Sequence, residues 1–227
     1  NQFNYQYKLK DFYIKTAYNC FNSGRFKNDY IDICAFKNCL DNGAIAFDMQ
    51  IFSINGEPII ASNTINTNFY KETYNYVKLS EGIMELKRNL FRFNHNPVFL
   101  NLRIHYSSNN ESENKKEKIE FYNKIYYILT SLGENESYLF NIEYLSTIKE
   151  YENIYDNRES IIPKLPMNLL KHRILLFVTL NNEPNLEIIQ DYNCRLNDIV
   201  DLYGNNNGLR NIRSNDLLNE HSYDPNR

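Results

Sequence analysis

Gly43-Ala-Ile-Ala-Phe-Asp-Met-Gln-Ile-Phe-Ser-Ile-Asn-Gly-Glu-Pro-Ile-Ile-Ala-Ser-Asn-Thr64 sets two runs of aliphatic and aromatic residues on either side of Asn55-Gly56. Asn-Gly is a strong short-range hairpin signal, because both residues tolerate positive φ and the tight turn between strands needs it. The stretch therefore reads as two strands, 44–54 and 59–61, joined by that turn.

Upstream, Phe12-Tyr-Ile-Lys-Thr-Ala-Tyr18 mixes β-branched and aromatic residues and predicts a first strand, with Asn22-Ser-Gly-Arg as a loop. Tyr30, Ile33, Cys34 and Phe36 recur at helical spacing until Asn42-Gly43 supplies a stop. Downstream, Ser80 reads as the cap of a helix carrying Ile83, Leu86, Leu90 and Phe93. Residues 97–106 read as a buried strand. A charged run over 109–118 leads into a helix with Ile119, Tyr122, Tyr126 and Leu129 on one face. Residues 138–144 and 173–179 read as strands, 161–166 as an extended loop held by its prolines, 188–203 as a helix and 209–212 as a last strand. Strands alternating with helices imply βα units and a largely parallel sheet.

With 227 residues, 42% hydrophobic and 15% aromatic, the chain can bury a sizeable core, and a single domain over 1–227 is expected. The formal net charge of −3 excludes a general electrostatic grip on nucleic acid. No apolar window long enough for a transmembrane segment exists, and Asn1-Gln-Phe-Asn-Tyr-Gln-Tyr-Lys8 lacks the apolar core of a signal peptide. A soluble protein, cytoplasmic or particle-associated, is the expectation. Cys20, Cys34, Cys39 and Cys194 fit neither a disulfide framework nor paired zinc spacing and read as reduced thiols. No Gly-rich phosphate loop, His-Glu-x-x-His or Gly-x-Ser-x-Gly motif supports a nucleotide or sugar-phosphate binder.

Four segments in order resemble the X-box of phosphoinositide-specific phospholipase C (PI-PLC): Tyr13-Ile-Lys-Thr-Ala-Tyr-Asn-Cys-Phe21, the stretch 43–64, Pro97-Val-Phe-Leu-Asn-Leu-Arg103 and Leu165-Pro-Met-Asn-Leu-Leu-Lys-His-Arg-Ile-Leu-Leu176. The resemblance spans about residues 12–179, with 180–227 as a polar continuation. It implies an α/β fold, a distorted (β/α)8 TIM barrel of the PI-PLC-like phosphodiesterase type with its site at the carboxyl ends of the strands. Because such a barrel takes roughly 250 residues, an incomplete barrel is expected.

In the resembled family one histidine takes the proton of the attacking inositol hydroxyl and another protonates the leaving oxygen, while calcium or an arginine neutralises the phosphate. The first histidine position is Tyr18 here and the second is Ser62. Neither side chain shuttles protons near neutrality. The resemblance makes Asn19, Asp48, Gln50 and Arg103 the four vestigial metal-site positions. Calcium wants six or more oxygens, several of them anionic, so a calcium site is expected to be lost and no cofactor is implied. The phosphate-binding lysines of the resembled pattern appear as Phe177 and Thr179.

These readings imply a catalytically inactive phospholipase C-like module that binds partners or serves a structural role in a larger cellular or viral assembly. Protein partners are expected on a tyrosine-rich surface formed from Tyr70, Tyr74, Tyr76, Tyr122, Tyr126, Tyr127, Tyr151 and Tyr155. A phosphoinositide lipid bound without turnover stands beside them. The alternative is a metal-independent phosphodiesterase in which Arg103 replaces calcium and His105, two residues on and on the same strand face, acts as base. Asp48 and Arg103 are otherwise expected to form a buried ion pair, and His105 to be structural. His95, His172 and His221 show no partner spacing.

Overall fold

Asn55 and Gly56 both take positive φ, 53° and 74°, as a two-residue hairpin turn demands. This computed structural model describes residues 7–24, 29–64, 70–91, 95–106, 114–133, 138–140, 145–152, 158–180, 189 and 191–203. The turn folds β4 (Ala46–Ile54) back on β5 (Glu57–Ala61), paired from Ile54↔Glu57 to Gln50↔Ala61.

The other long strands, β7 (Val98–His105) and β8 (Ile174–Leu180), lie parallel to β4 in the order β4-β7-β8. Short strands complete the sheet. β1 (Thr16–Ala17) pairs with Ala46 and Phe47, β6 (Val77–Lys78) with β5, and β9 (Leu202–Tyr203) with β8. Seven strands thus form one mixed sheet, open between β6 and β9 among the described residues. A separate pair joins β2 (Asn22–Ser23) to β3 (Tyr30–Ile31).

Side chains alternate across the sheet, as strand geometry requires. Phe47, Met49, Ile51, Leu100, Leu102, Ile104, Leu176 and Val178 face the helix layer and join one large core. Against them pack Phe36 of α1 (Ile33–Asp41), Ile83 and Leu86 of α2 (Leu79–Asn89), and Phe121, Tyr122, Ile125 and Leu129 of α3 (Asn114–Thr130). The opposite, concave face starts apolar: Ala46, Phe99 and Leu175 meet Leu9, Ile162, Leu165, Met167 and Leu170. One step along β4 and β7 that face turns polar, at Asp48 and Asn101, while β8 keeps Phe177 before Thr179, and the candidate site begins there.

Several local expectations are corrected. The first strand shrinks to Thr16–Ala17, and Asn22–Ser23 pairs as a strand where a loop is expected. Ser80 lies inside α2, whose cap is Lys78. The expected extended loop holds only at Leu165 and Pro166; before them α4 (Arg158–Ile161) runs into the 3-10 turn Ile162–Lys164, where Pro163 sits at the start and needs no N–H partner. Of the helix expected over 188–203, Ile189 is helical, whereas residues 191–203 hold the 3-10 turn Arg195–Ile199 and β9 instead. Within 138–144 a single bridge, Leu139↔Ile174, is present and 141–144 lie outside the described residues. Phe93, Tyr155, His221 and the strand expected over 209–212 also lie outside them.

Candidate functional site

β1 and β5 share one edge of β4: β1 pairs with Ala46 and Phe47, β5 with Gln50 to Ile54. Between them the chain leaving β1 turns at Asn19, whose φ of 48° is left-handed, a conformation that Asn tolerates better than most residues. Cys20 N–H donates to the Asp48 carbonyl at 2.9 Å and Asn19 N–H to Asp48 Oδ1 at 3.3 Å. The turn therefore presents Tyr18 and Asn19 to the concave face of β4 and β7.

Arg103 occupies the middle of that face, with its side chain 4% exposed and that of Asp48 1%. Its Nε donates to Asp48 Oδ1 and Oδ2 at 3.2 and 3.0 Å, and Nη2 to Oδ1 at 2.6 Å. Nη2 also donates to Asn19 Oδ1, and Nη1 to the Tyr18 hydroxyl at 2.9 Å. The guanidinium carbon lies 4.4 Å from the Tyr18 ring centre. This fork is the geometry that suits guanidinium to carboxylate, and the extra acceptors help offset the desolvation of both charges.

Asp48 Oδ2 accepts from Asn101 Nδ2 at 2.7 Å, and Asn101 Oδ1 accepts from Thr179 Oγ1 at 3.1 Å. Gln50 exchanges two bonds with the Asn63 backbone, 3.1 and 3.3 Å, and donates to Asn19 Oδ1 at 3.3 Å. Two donors on Asn19 Oδ1 fix its amide orientation and leave Nδ2 buried without a partner.

The four positions Asn19, Asp48, Gln50 and Arg103 thus converge on one network, with Tyr18 over it, 41% exposed. Ser62 does not join it through a side-chain bond; its hydroxyl donates to Asn22 Oδ1 at 2.6 Å, beside the network. His105 lies beyond Arg103, 1% exposed, stacked flat on Phe52 with centroids 4.6 Å apart. Asn101, Asn63 and the bonding role of Thr179 were not singled out by sequence. Strand alternation puts Asn101 on the Asp48–Arg103 face, and that was the available signal.

The donor set does not fit calcium. Asp48 is the only carboxylate in the network, it is neutralised by Arg103, and the Asn19 oxygen receives two N–H groups. A net-neutral pair with its oxygens in use offers little to replace the hydration of a divalent ion. Among the described residues no group of three or more His, Cys, Asp or Glu is arranged for a metal.

Burial, with the Asp48 charge added, pushes the Cys20 thiol well above its ordinary range. Cys194 is also buried and Cys34 exposed; all four thiols are free. The tyrosines divide. Tyr70, Tyr74, Tyr76 and Tyr127 are exposed, Tyr126 and Tyr151 half-buried, and Tyr122 is core, a correction to its place on the surface list. Tyr74 pairs with Tyr30 at 5.3 Å, and the Tyr70 carbonyl accepts from Asn63 Nδ2. Asn63 also holds Gln50, so Tyr70 lies beside the network. No helix of the described residues is long and apolar enough to cross a membrane.

No family profile and no curated protein matches the sequence. Solved structures do match the fold. PLC21 from S. officinalis superposes with a TM-score of 0.53 at 15% identity, over 77% of this chain and 19% of its own. PLC21 from L. pealei gives 0.52 at 15%, with the same coverage. A calcium-dependent phosphoinositol-specific phospholipase C from the Gram-negative bacterium Pseudomonas sp gives 0.52 at 14%, over 91% of this chain and 72% of its own. The chain thus spans about a fifth of the two PLC21 proteins, 19% of each. Its fold is that of the PI-PLC barrels, a mixed α/β sheet left open here among the described residues.

Proposed function

We propose that this chain is a catalytically silent PI-PLC-like barrel, a single domain over 1–227, that works as a binding or structural module. The observation that carries the reading is the Arg103 guanidinium, bonded at once to Asp48, Asn19 and Tyr18. A phosphodiester entering that position would have to displace a buried, paired cation, and Tyr18 and Ser62 stand where the resembled pattern has imidazoles, the usual proton shuttles. The working surface in this reading is the exposed tyrosines Tyr18, Tyr30, Tyr70 and Tyr74, which offer rigid aromatic area to a protein partner within a larger assembly.

The competing reading, a metal-independent phosphodiesterase using Arg103 and His105, draws on their shared strand face. Against it stand the engagement of Arg103 by three partners and the burial of His105 against Phe52. Calorimetric titration with calcium tests the proposal. No saturable heat is expected through the millimolar range that covers weak protein calcium sites. Saturable binding lost on Asp48→Asn would overturn it.

A further inference from the structure

At the other end of the sheet, the segments entering β7 and β8 bring two histidines together. Pro97 holds the residue before it extended, and Val98 N–H donates to the Arg173 carbonyl at 2.9 Å. One step earlier, His172 N–H donates to the His95 carbonyl at 3.2 Å. The two exposed imidazoles meet nearly perpendicular, centroids 4.3 Å apart at 82°, with His95 Nδ1 in contact with His172 Nε2. Phe91 packs edge-on against His172 from behind, centroids 5.5 Å apart at 85°.

The backbone at this point is unusual. His172 has φ of 55° and Phe91 of 59°. The left-handed region favours glycine, and a non-glycine residue held there at a side-chain cluster marks a position worth testing for function. The strained turn is what aims His172 at His95.

We propose that His95 and His172 form a two-imidazole site for a late first-row divalent cation (Cu²⁺, Ni²⁺ or Zn²⁺) that staples β7 to β8 at their amino-terminal ends. Neutral imidazole is the preferred nitrogen ligand of these ions. On a tetrahedral ion with bonds of about 2.0–2.1 Å, two nitrogens lie about 3.3 Å apart, so the rings need only open slightly, and their exposure allows it. No third His, Cys, Asp or Glu joins them among the described residues. Lys171 and Arg173 flank the pair, which disfavours ions held by charge alone and leaves those bound through nitrogen coordination.

The test uses the full chain in a Cys34→Ser background, which removes the exposed thiol, with Cu²⁺ as probe because it binds nitrogen sites most tightly in its series. Electron paramagnetic resonance of the one-to-one complex is expected to report two imidazole nitrogens. His172→Gly suits the left-handed position, so the variant should fold and unfold at a higher temperature than its parent. It should still lose at least tenfold in Cu²⁺ affinity, as should His95→Ala, while His221→Ala should not. Zn²⁺ should raise the Tm of the parent but not of His172→Gly. Absence of saturable binding, a signal from fewer than two imidazoles, or less than a threefold loss in either variant would overturn the proposal. Competition by excess calcium would overturn the class of ion.

Discussion

Replacing Arg103 by Met keeps most of the aliphatic bulk and removes the charge, leaving Asp48 buried at 1% side-chain exposure. Three guanidinium contacts to the carboxylate disappear, at 3.2, 3.0 and 2.6 Å. Two donors stay, Asn101 Nδ2 at 2.7 Å and Asn19 N–H at 3.3 Å. Breaking a buried pair from one side costs roughly 3–5 kcal/mol, and the surviving donors favour the lower end, about 3 kcal/mol. Adding Asp48→Asn removes the stranded charge and should recover more than half of that loss, because residues in one network are coupled by about 0.5–3 kcal/mol. Urea unfolding followed by circular dichroism reads both values, with an unchanged m-value as the check that only stability moved. A loss below about 0.5 kcal/mol for Arg103→Met, the scale of an exposed site, or a double variant that is simply additive, would refute the network.

Tyr18→Phe deletes one acceptor of Arg103 but keeps the ring beside it, so a loss of about 0.5–1.5 kcal/mol is expected in the same assay. Gly82→Ala would bring a Cβ within 2.3 Å of Ile60 Cδ1 and 3.3 Å of Phe21 Cζ; overpacking of about 1–3 kcal/mol should outweigh the helix-propensity gain of up to about 1 kcal/mol, a net fall in Tm. Burial raises the Cys20 and Cys194 thiols from an ordinary 9.0 and the Tyr122 phenol from an ordinary 10.0. The unfolded chain gives up these protons at lower pH than the folded one. Their contribution to stability is therefore whole below about pH 9 and falls as pH rises, so urea midpoints should drop between pH 8.5 and 10.5, and Cys20→Ala should flatten the drop.

The hairpin at Asn55-Gly56 and the two long parallel strands were readable from sequence, because turn chemistry and apolar runs are local properties. The convergence of Asn19, Asp48, Gln50 and Arg103 was reached through order along the chain, since residues so far apart share no local period. What stayed hidden depends on tertiary context. β1 is two residues long because β5 takes the rest of the β4 edge. Ile162–Lys164 turns helical because Pro163 sits where its missing N–H costs nothing. Asn101 looked like one more polar residue until strand pairing set it beside Asp48. His95 and His172 meet only through the register of β7 and β8, which no spacing encodes.

Release of inositol phosphate from phosphatidylinositol vesicles, with calcium or with a chelator, tests the silent-barrel account most directly. The account predicts a rate equal to the protein-free blank in both conditions. Turnover above the blank that disappears in a folded His105→Ala variant would contradict it and assign the chemistry to Arg103 and His105.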